Sequence, residues 1–169
     1  MQVNRIEGGI EIILFRGEAT LLQDIFSRIL SNYSIPPDEL SDAVQKVWYP
    51  KNIQKEDRED SDDLADVIRD DFQIYRSENS LKLKSWISLL RADQQIITWR
   101  VEDGEIDRVL TILNDHRLYR AAELGVGQDE MDRDLEEIED DQLRGGILEI
   151  HFLAWLIELV LRGGDKGVD

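Results

Sequence analysis

Cysteine is absent from this chain of 169 residues, which removes disulfide staples, thiolate zinc sites and a cysteine nucleophile together. Histidine is scarce as well. Only His116 and His151 occur, and neither belongs to an H-x-x-x-H, H-E-x-x-H or E-x-x-H spacing that would set two ligands on one helical face, so no metal ligand is assigned. Long hydrophobic runs are lacking too. The longest apolar stretch, 147–161, carries Glu149, His151 and Glu158 and is shorter than the ~20 residues a membrane-spanning helix needs. No basic-then-apolar leader precedes the first patterned residues, so a soluble, cytoplasmic chain without a membrane partner is expected. G-x-G-x-x-G, G-x-x-x-x-G-K-[ST] and G-x-S-x-G are all missing, which leaves nucleotide cradles and a serine nucleophile elbow unsupported. The acidic stretch around Asp132 fails as an EF-hand, because Glu137 stands where that loop turns on a glycine. No cofactor and no catalytic residue are assigned.

Positive charge is also in short supply: 20 Lys and Arg stand against 37 Asp and Glu, for a formal net charge of -17. Nucleic-acid affinity rests on cations that displace counterions from phosphates, so a nucleic-acid partner is not expected. The same field favours a protein partner with a basic patch. Acidity also keeps a protein soluble, so by itself it names no partner. With 41% hydrophobic residues, the chain is apolar enough to fold, and its length suits one domain that buries about two thirds of its unfolded surface.

What is present reads as mainly α: a bundle of about five helices behind a short N-terminal β-hairpin, in one domain over 1–169. The hairpin, within 1–16, joins Val3–Ile6 to Ile10–Phe15 through Gly8-Gly9. The helical bundle spans 17–162. Its first helix, Glu18 to Tyr33, repeats Leu21, Leu22, Ile25, Phe26, Ile29 and Leu30 at helical spacing. Pro36-Pro37 ends it, and a short helix runs from Asp38 to about Trp48 before Tyr49-Pro50 breaks the pattern. One long helix then covers Asp57 to Arg91. Ile96–Val101, "IITWRV", suits either a strand or an extended loop. A further helix covers Glu105 to Leu124, an acidic and solvated connection covers 127–145, and a last helix covers Ile147 to Leu161, apolar nearly all round. Residues 163–169 form a frayed tail. Trp86 and Trp155 are expected near the centre of the core. The breadth of the last helix invites a second subunit, with Ile150, Phe152, Leu153, Leu156 and Val160 as the candidate homodimer interface.

"LNDHRLYRAAELGV", residues 113–126, sets four polar side chains in the middle of an amphipathic helix. Asn and Asp are poor helix formers, so the fold or a function must require them. From the stripe of Ile106, Val109, Leu110, Leu113 and Leu124, Arg117 is expected to point inward and to need a carboxylate. Asn114 then bonds nearby backbone, while Asp115 and His116 turn to the rim. Glu158 or Glu149 on the last helix supplies the acid, and Asn114, Asp115, Arg117, Glu158 and Glu149 form a structural polar cluster that fixes how two helices meet. The competing reading is a small enzyme using Asp115, His116 and Arg117 as an acid/base and anion-binding group. Neighbours on a helix point about 100° apart, which argues against convergence on one substrate.

The same residues carry a resemblance. "LNDHRLYRAAELGV" resembles the Leu-Asn-Asp-x-Arg-Leu...Leu-Gly-Val signature of DUF2017, a bacterial family defined only as a domain of unknown function. The opening hairpin and helix, "WYP" before a charged helix entry, and "FLAWLIEL" near the end resemble its other landmarks in the same order. Asn114, Asp115, Arg117 and Leu118 match, whereas His116 stands where the pattern implies an apolar residue. The resemblance implies no established activity, an acid after the "WL" pair that singles out Glu158, and a link to Clp-type proteolysis through neighbouring adaptor genes. The expected role is therefore a non-enzymatic, cytoplasmic interaction or regulatory protein.

Overall fold

The computed structural model describes residues 1–49, 61–91, 94–131 and 133–165. Strand β1 (Gln2–Ile6) turns at Gly8 into β2 (Gly9–Phe15), and β2 also pairs antiparallel with β3 (Ile96–Glu102), giving the order β1-β2-β3. The N-terminal hairpin is thus part of a three-stranded sheet. "IITWRV" resolves as a strand because alternate residues match the buried face of β2: Ile10 faces Val101, Ile12 faces Trp99 and Leu14 faces Ile97, and all six are buried. Gly8 sits at a φ of 76°, the left-handed region its missing Cβ makes accessible. Gly9 has a different reason. A Cβ there would lie 2.2 Å from the Val101 carbonyl oxygen, so only glycine lets the third strand close in.

Among the described residues six helices surround this sheet: α1 (Arg16–Tyr33), α2 (Asp42–Trp48), α3 (Ser61–Leu90), α4 (Asp103–Leu124), the single turn α5 (Gln128–Met131) and α6 (Asp141–Asp165). α1 buries Ala19, Leu22, Ile25, Phe26 and Ile29, a stripe with helical period. Phe26 meets Trp86 of α3 and Trp99 of β3 at ring-centroid distances of 5.5 and 5.6 Å, and the two tryptophans are 5.2 Å apart. Three aromatic rings from three elements thus centre the core, with Leu153, Leu156 and Val160 of α6 completing it. Trp86 lies where the sequence puts it. Trp155 does not: it is 43% exposed, because Leu153 and Leu156 take the inward positions and residue 155 falls on the opposite side of the helix.

The remaining boundaries differ in informative ways. The turn at Pro37–Glu39 is 3-10, and α2 starts only at Asp42, where the Ser41 hydroxyl accepts from the Val44 amide. The long helix is unbroken through "SENS" as expected from the sequence, while its expected first residues, 57–60, lie outside the described set. The acidic connection at 127–145 contains α5, a 3-10 turn at Leu135–Glu137 and the buried anchor Ile138. Asp140 then caps α6, its Oδ1 accepting from the amides of Gln142 and Leu143 at 2.8 and 3.0 Å, so the helix starts at Asp141 and passes through Gly145-Gly146. Those glycines look like breakers in sequence. In space they permit a close crossing: a Cβ at Gly146 would lie 2.1 Å from Leu124 Cδ1 on α4. The helix also runs past the expected fray point to Asp165, with Gly163 packed against Val3; residues 166–169 lie outside the described set. Among the described residues no helix is long and apolar enough to cross a membrane.

Candidate functional site

On α4 the buried positions are Val109, Ile112, Leu113, His116 and Tyr119. That stripe is rotated by one residue from the one expected through Arg117. His116, three residues after Leu113 and four after Ile112, takes the inward place and is 1% exposed. Its Nε2 lies 2.7 Å from Glu149 Oε1 on α6. Arg28 of α1 reaches the same carboxylate at 3.0 Å and Arg120, one turn beyond His116, at 3.3 Å. Glu149 of α6 is thus a buried acid among one imidazole and two guanidinium groups from two other helices, α1 and α4. Burial alone would push its carboxyl up, but the His116 hydrogen bond and the charges of Arg28 and Arg120 outweigh that and hold it below the ordinary range. His116 Nδ1 is buried with no hydrogen-bond partner among the described residues.

Asp115, one residue earlier, faces a different neighbourhood. Its Oδ2 accepts from the Tyr33 hydroxyl at 2.9 Å, and its backbone carbonyl accepts from Trp48 Nε1 at 3.1 Å. Burial pushes the Asp115 carboxyl up, against the opposing influence of Arg76 and the Tyr33 bond. Tyr33 is raised well above its ordinary value, by burial first and then by the Asp115 charge and bond. Beside them the Arg76 guanidinium is buried over Trp48 at 4.1 Å, Tyr49 at 4.8 Å, Phe72 at 5.6 Å and Tyr33 at 5.8 Å. Its Nε and Nη1, and both polar atoms of Asn79 three residues on, have no hydrogen-bond partner among the described residues.

Five expectations from the sequence change here. Arg117 is half-buried, and among the described residues no ion pair joins it to Glu149 or Glu158. Glu158 is 56% exposed and pairs with Arg162 one turn along α6. Position 158 sits two residues after the inward Leu156, hence on the outer side. Asp115 and His116 are not at the rim, since the whole stripe is rotated. Asn114 is half-buried, with no side-chain hydrogen bond among the described residues. The proposed interface residues Ile150, Leu153, Leu156 and Val160 are buried in the chain's own core, and Phe152 packs partly against it. α6 instead turns Leu148 and Trp155 outward, with Phe152 6.2 Å from Trp155 between ring centroids.

The residues that sequence reasoning missed are Arg28, Arg120, Tyr33, Trp48 and Arg76. Arg120 carries a readable signal, lying at i+4 from His116 on the same stripe. Arg28 and the aromatic group carry none, because their roles depend on how α1, α2 and α3 meet α4. Next to Glu149 a cleft of about 480 Å³ opens to the surface, lined by Leu21, Arg28, Arg120, Gly145, Gly146 and Leu148 among others. Among the described residues no group of three or more His, Asp or Glu side chains is placed to hold a metal ion.

The family model described as Domain of unknown function (DUF2017) matches residues 2–162, and the chain belongs to that family. Comparisons with curated proteins and with solved structures give no match.

Proposed function

We propose that this protein is a non-enzymatic, cytoplasmic interaction or regulatory module that engages a protein partner carrying a basic, apolar patch. The observation that carries the reading is the outer face of α6, where Leu148 is 50% exposed and Trp155 stands beside Phe152. Tryptophan is the residue type most enriched at interface hot spots, and its exposure on an ordered helix favours a docking role. The surrounding charge selects the partner. The chain's net charge of -17 disfavours a second copy and favours a basic surface. Given the family resemblance, a component of a Clp-type proteolytic system is the first partner to test.

The enzymatic reading requires Asp115, His116 and Arg117 to act together. Their surroundings favour the other role: Asp115 is engaged by Tyr33 and Trp48, and His116 by Glu149, on different sides of α4. The test is binding of the purified protein to a Clp adaptor and to its protease, measured by surface plasmon resonance, together with turnover of a reporter substrate. Saturable binding that weakens with salt and is lost in Leu148→Ser/Trp155→Ser supports the proposal. Binding unchanged in that variant overturns the α6 assignment. Light scattering at physiological salt showing a dimer that dissociates in the same variant replaces the basic partner with a second copy.

A further inference from the structure

We propose that the outer edge of β3 is a docking site for an extended segment of a protein partner, which adds antiparallel as a fourth strand of the sheet. The proposal does not depend on the α6 reading above. β3 ends the order β1-β2-β3 and, among the described residues, pairs only with β2. The bonds that bracket this pairing show which backbone groups it uses: Gln95 O accepts from Arg16 N, and Asp103 N donates to Gly8 O. Edge direction alternates along a strand, so Ile97, Trp99 and Val101 bond toward β2, whereas Ile96, Thr98 and Arg100 turn their N–H and C=O groups outward. Among the described residues no backbone bond reaches any of these outward groups. The opposite edge is covered, since Gly163 of α6 packs on Val3 of β1.

An unpaired strand edge specifies its occupant, because only another extended backbone offers donors and acceptors at the matching spacing. Proline and bulges blunt such edges, and β3 has neither: its register against β2 is continuous from Ile96 to Glu102. The side chains on the solvent face add the chemistry. Ile96 lies opposite Phe15, 52% and 58% exposed, so one end of the edge is apolar. Arg100 is already engaged by Glu11. At the far end Glu102 is exposed, and among the described residues it has no ion pair. An incoming antiparallel strand therefore carries Lys or Arg opposite Glu102 and an apolar residue opposite Ile96. The net charge of -17 attracts the same basic strand. A second copy fits poorly. Antiparallel pairing of β3 with another β3, in any register that joins three or more of Ile96, Thr98, Arg100 and Glu102, sets Ile96 against a charged residue or Arg100 against itself.

The test titrates the full chain with the peptide acetyl-Lys-Thr-Thr-Val-Thr-Thr-Ile-amide at about 0.15 M salt, followed by calorimetry and by backbone amide chemical shifts. Saturable binding between about 10 μM and 1 mM is expected, with the largest shifts at Ile96, Thr98 and Arg100 and slower hydrogen exchange at their amides. N-methylation of the third and fifth peptide residues removes amides that face the edge and weakens binding about tenfold or more. Thr98→Pro deletes one outward N–H while the bonds to β2 remain, and weakens the peptide about fivefold or more. Glu102→Lys weakens it about threefold and reverses the preference toward a peptide with Glu in place of Lys. No saturable binding below ~10 mM, an N-methylated peptide as tight as its parent, shifts confined to α6, or unchanged peptide affinity in the folded variants overturns the assignment. A dimer in light scattering that Thr98→Pro dissociates also overturns it, by giving the edge to a second copy. Should Thr98→Pro fail to fold, Glu102→Lys and the N-methylated peptide decide the matter. None of these results bears on the α6 reading, which Leu148→Ser/Trp155→Ser tests separately.

Discussion

Replacing Glu149 by glutamine isolates the charge that joins α1, α4 and α6. The amide keeps the shape and still accepts from His116, but it sets an NH2 group against the guanidinium side and leaves Arg28 and Arg120 without their shared carboxylate. Breaking a buried ion pair costs about 3–5 kcal/mol. Arg28 is half-exposed and recovers much of its hydration, so the lower end of that range, about 3 kcal/mol, is expected. His116→Ala removes the Nε2 bond and a buried ring stacked 6.3 Å from Tyr119, for about 2–4 kcal/mol. The double variant should fall short of the sum by about 1–2 kcal/mol, because both act on one network. Arg117→Ala, lacking a carboxylate partner among the described residues, should cost under about 1 kcal/mol. Urea denaturation read by tryptophan fluorescence and far-UV circular dichroism gives all four values. The Glu149 contribution also has a pH signature. Its carboxyl is depressed in the folded state, so the increment is present above the unfolded carboxylate range and is lost as pH falls through the lower folded value. Arg117→Ala as costly as Glu149→Gln, or Glu149→Gln within about 0.5 kcal/mol of wild type, would refute the reasoning.

Asp115 has the opposite linkage: its folded-state carboxyl is raised, so the folded protein binds a proton more readily and stability declines as pH rises from the unfolded value through the folded one. Asp115→Asn keeps an acceptor for Tyr33 and should lose that slope in urea titrations run upward in pH from the ordinary carboxylate value; an unchanged slope would place the titration elsewhere. Gly9→Ala drives a methyl into the Val101 carbonyl and should cost more than about 2 kcal/mol, whereas Gly8→Ala meets no atom and should cost about 1 kcal/mol for its left-handed φ. Equal losses at the two positions would contradict the close approach of β3. Arg76→Met retains volume within the aromatic group and removes a buried guanidinium whose Nε and Nη1 lack hydrogen-bond partners among the described residues. Thermal unfolding should show a change of no more than about 1 kcal/mol in either direction, and a loss above about 3 kcal/mol would mean that the cation itself holds the four rings together.

The helices were legible because their apolar positions recur at 3.6 residues wherever one face meets the core, as Leu22, Ile25, Phe26 and Ile29 do on α1. β3 was left open because a seven-residue alternation becomes decisive only when the facing residues of β2 are known. The start of the last helix was placed at Ile147 instead of Asp141 for a related reason. A glycine inside a helix reads as a break until the helix packed against it is known, and here Leu124 occupies the space that a side chain would need. In each case the missing information is a contact between residues far apart in sequence, which local pattern does not encode.

The polar cluster was half legible on the same grounds. An acid inside "ILEIHFLAWL" signals buried cations, and Glu149 was among the candidates; which cations serve it depends on rotation of α4 by a single residue. Using Leu110 and Leu124 to draw the stripe places Arg117 inward, whereas both are only partly buried, and drawing it through Ile112 turns His116 inward instead. An apolar residue at position 116, which the family pattern implies, fits that inward place without a partner. Histidine there gains one from Glu149. The adjacent polar pair therefore has two jobs that a helix assigns by its 100° step: Asp115 binds α4 to α1 and α2 through Tyr33 and Trp48, and His116 binds it to α6 through Glu149. Poor helix formers are tolerated in the middle of α4 because their side chains satisfy groups on the helices around it. Exchanging the two residues would face a carboxylate toward Glu149 and an imidazole toward Tyr33, retaining composition and helix propensity while reversing both interactions.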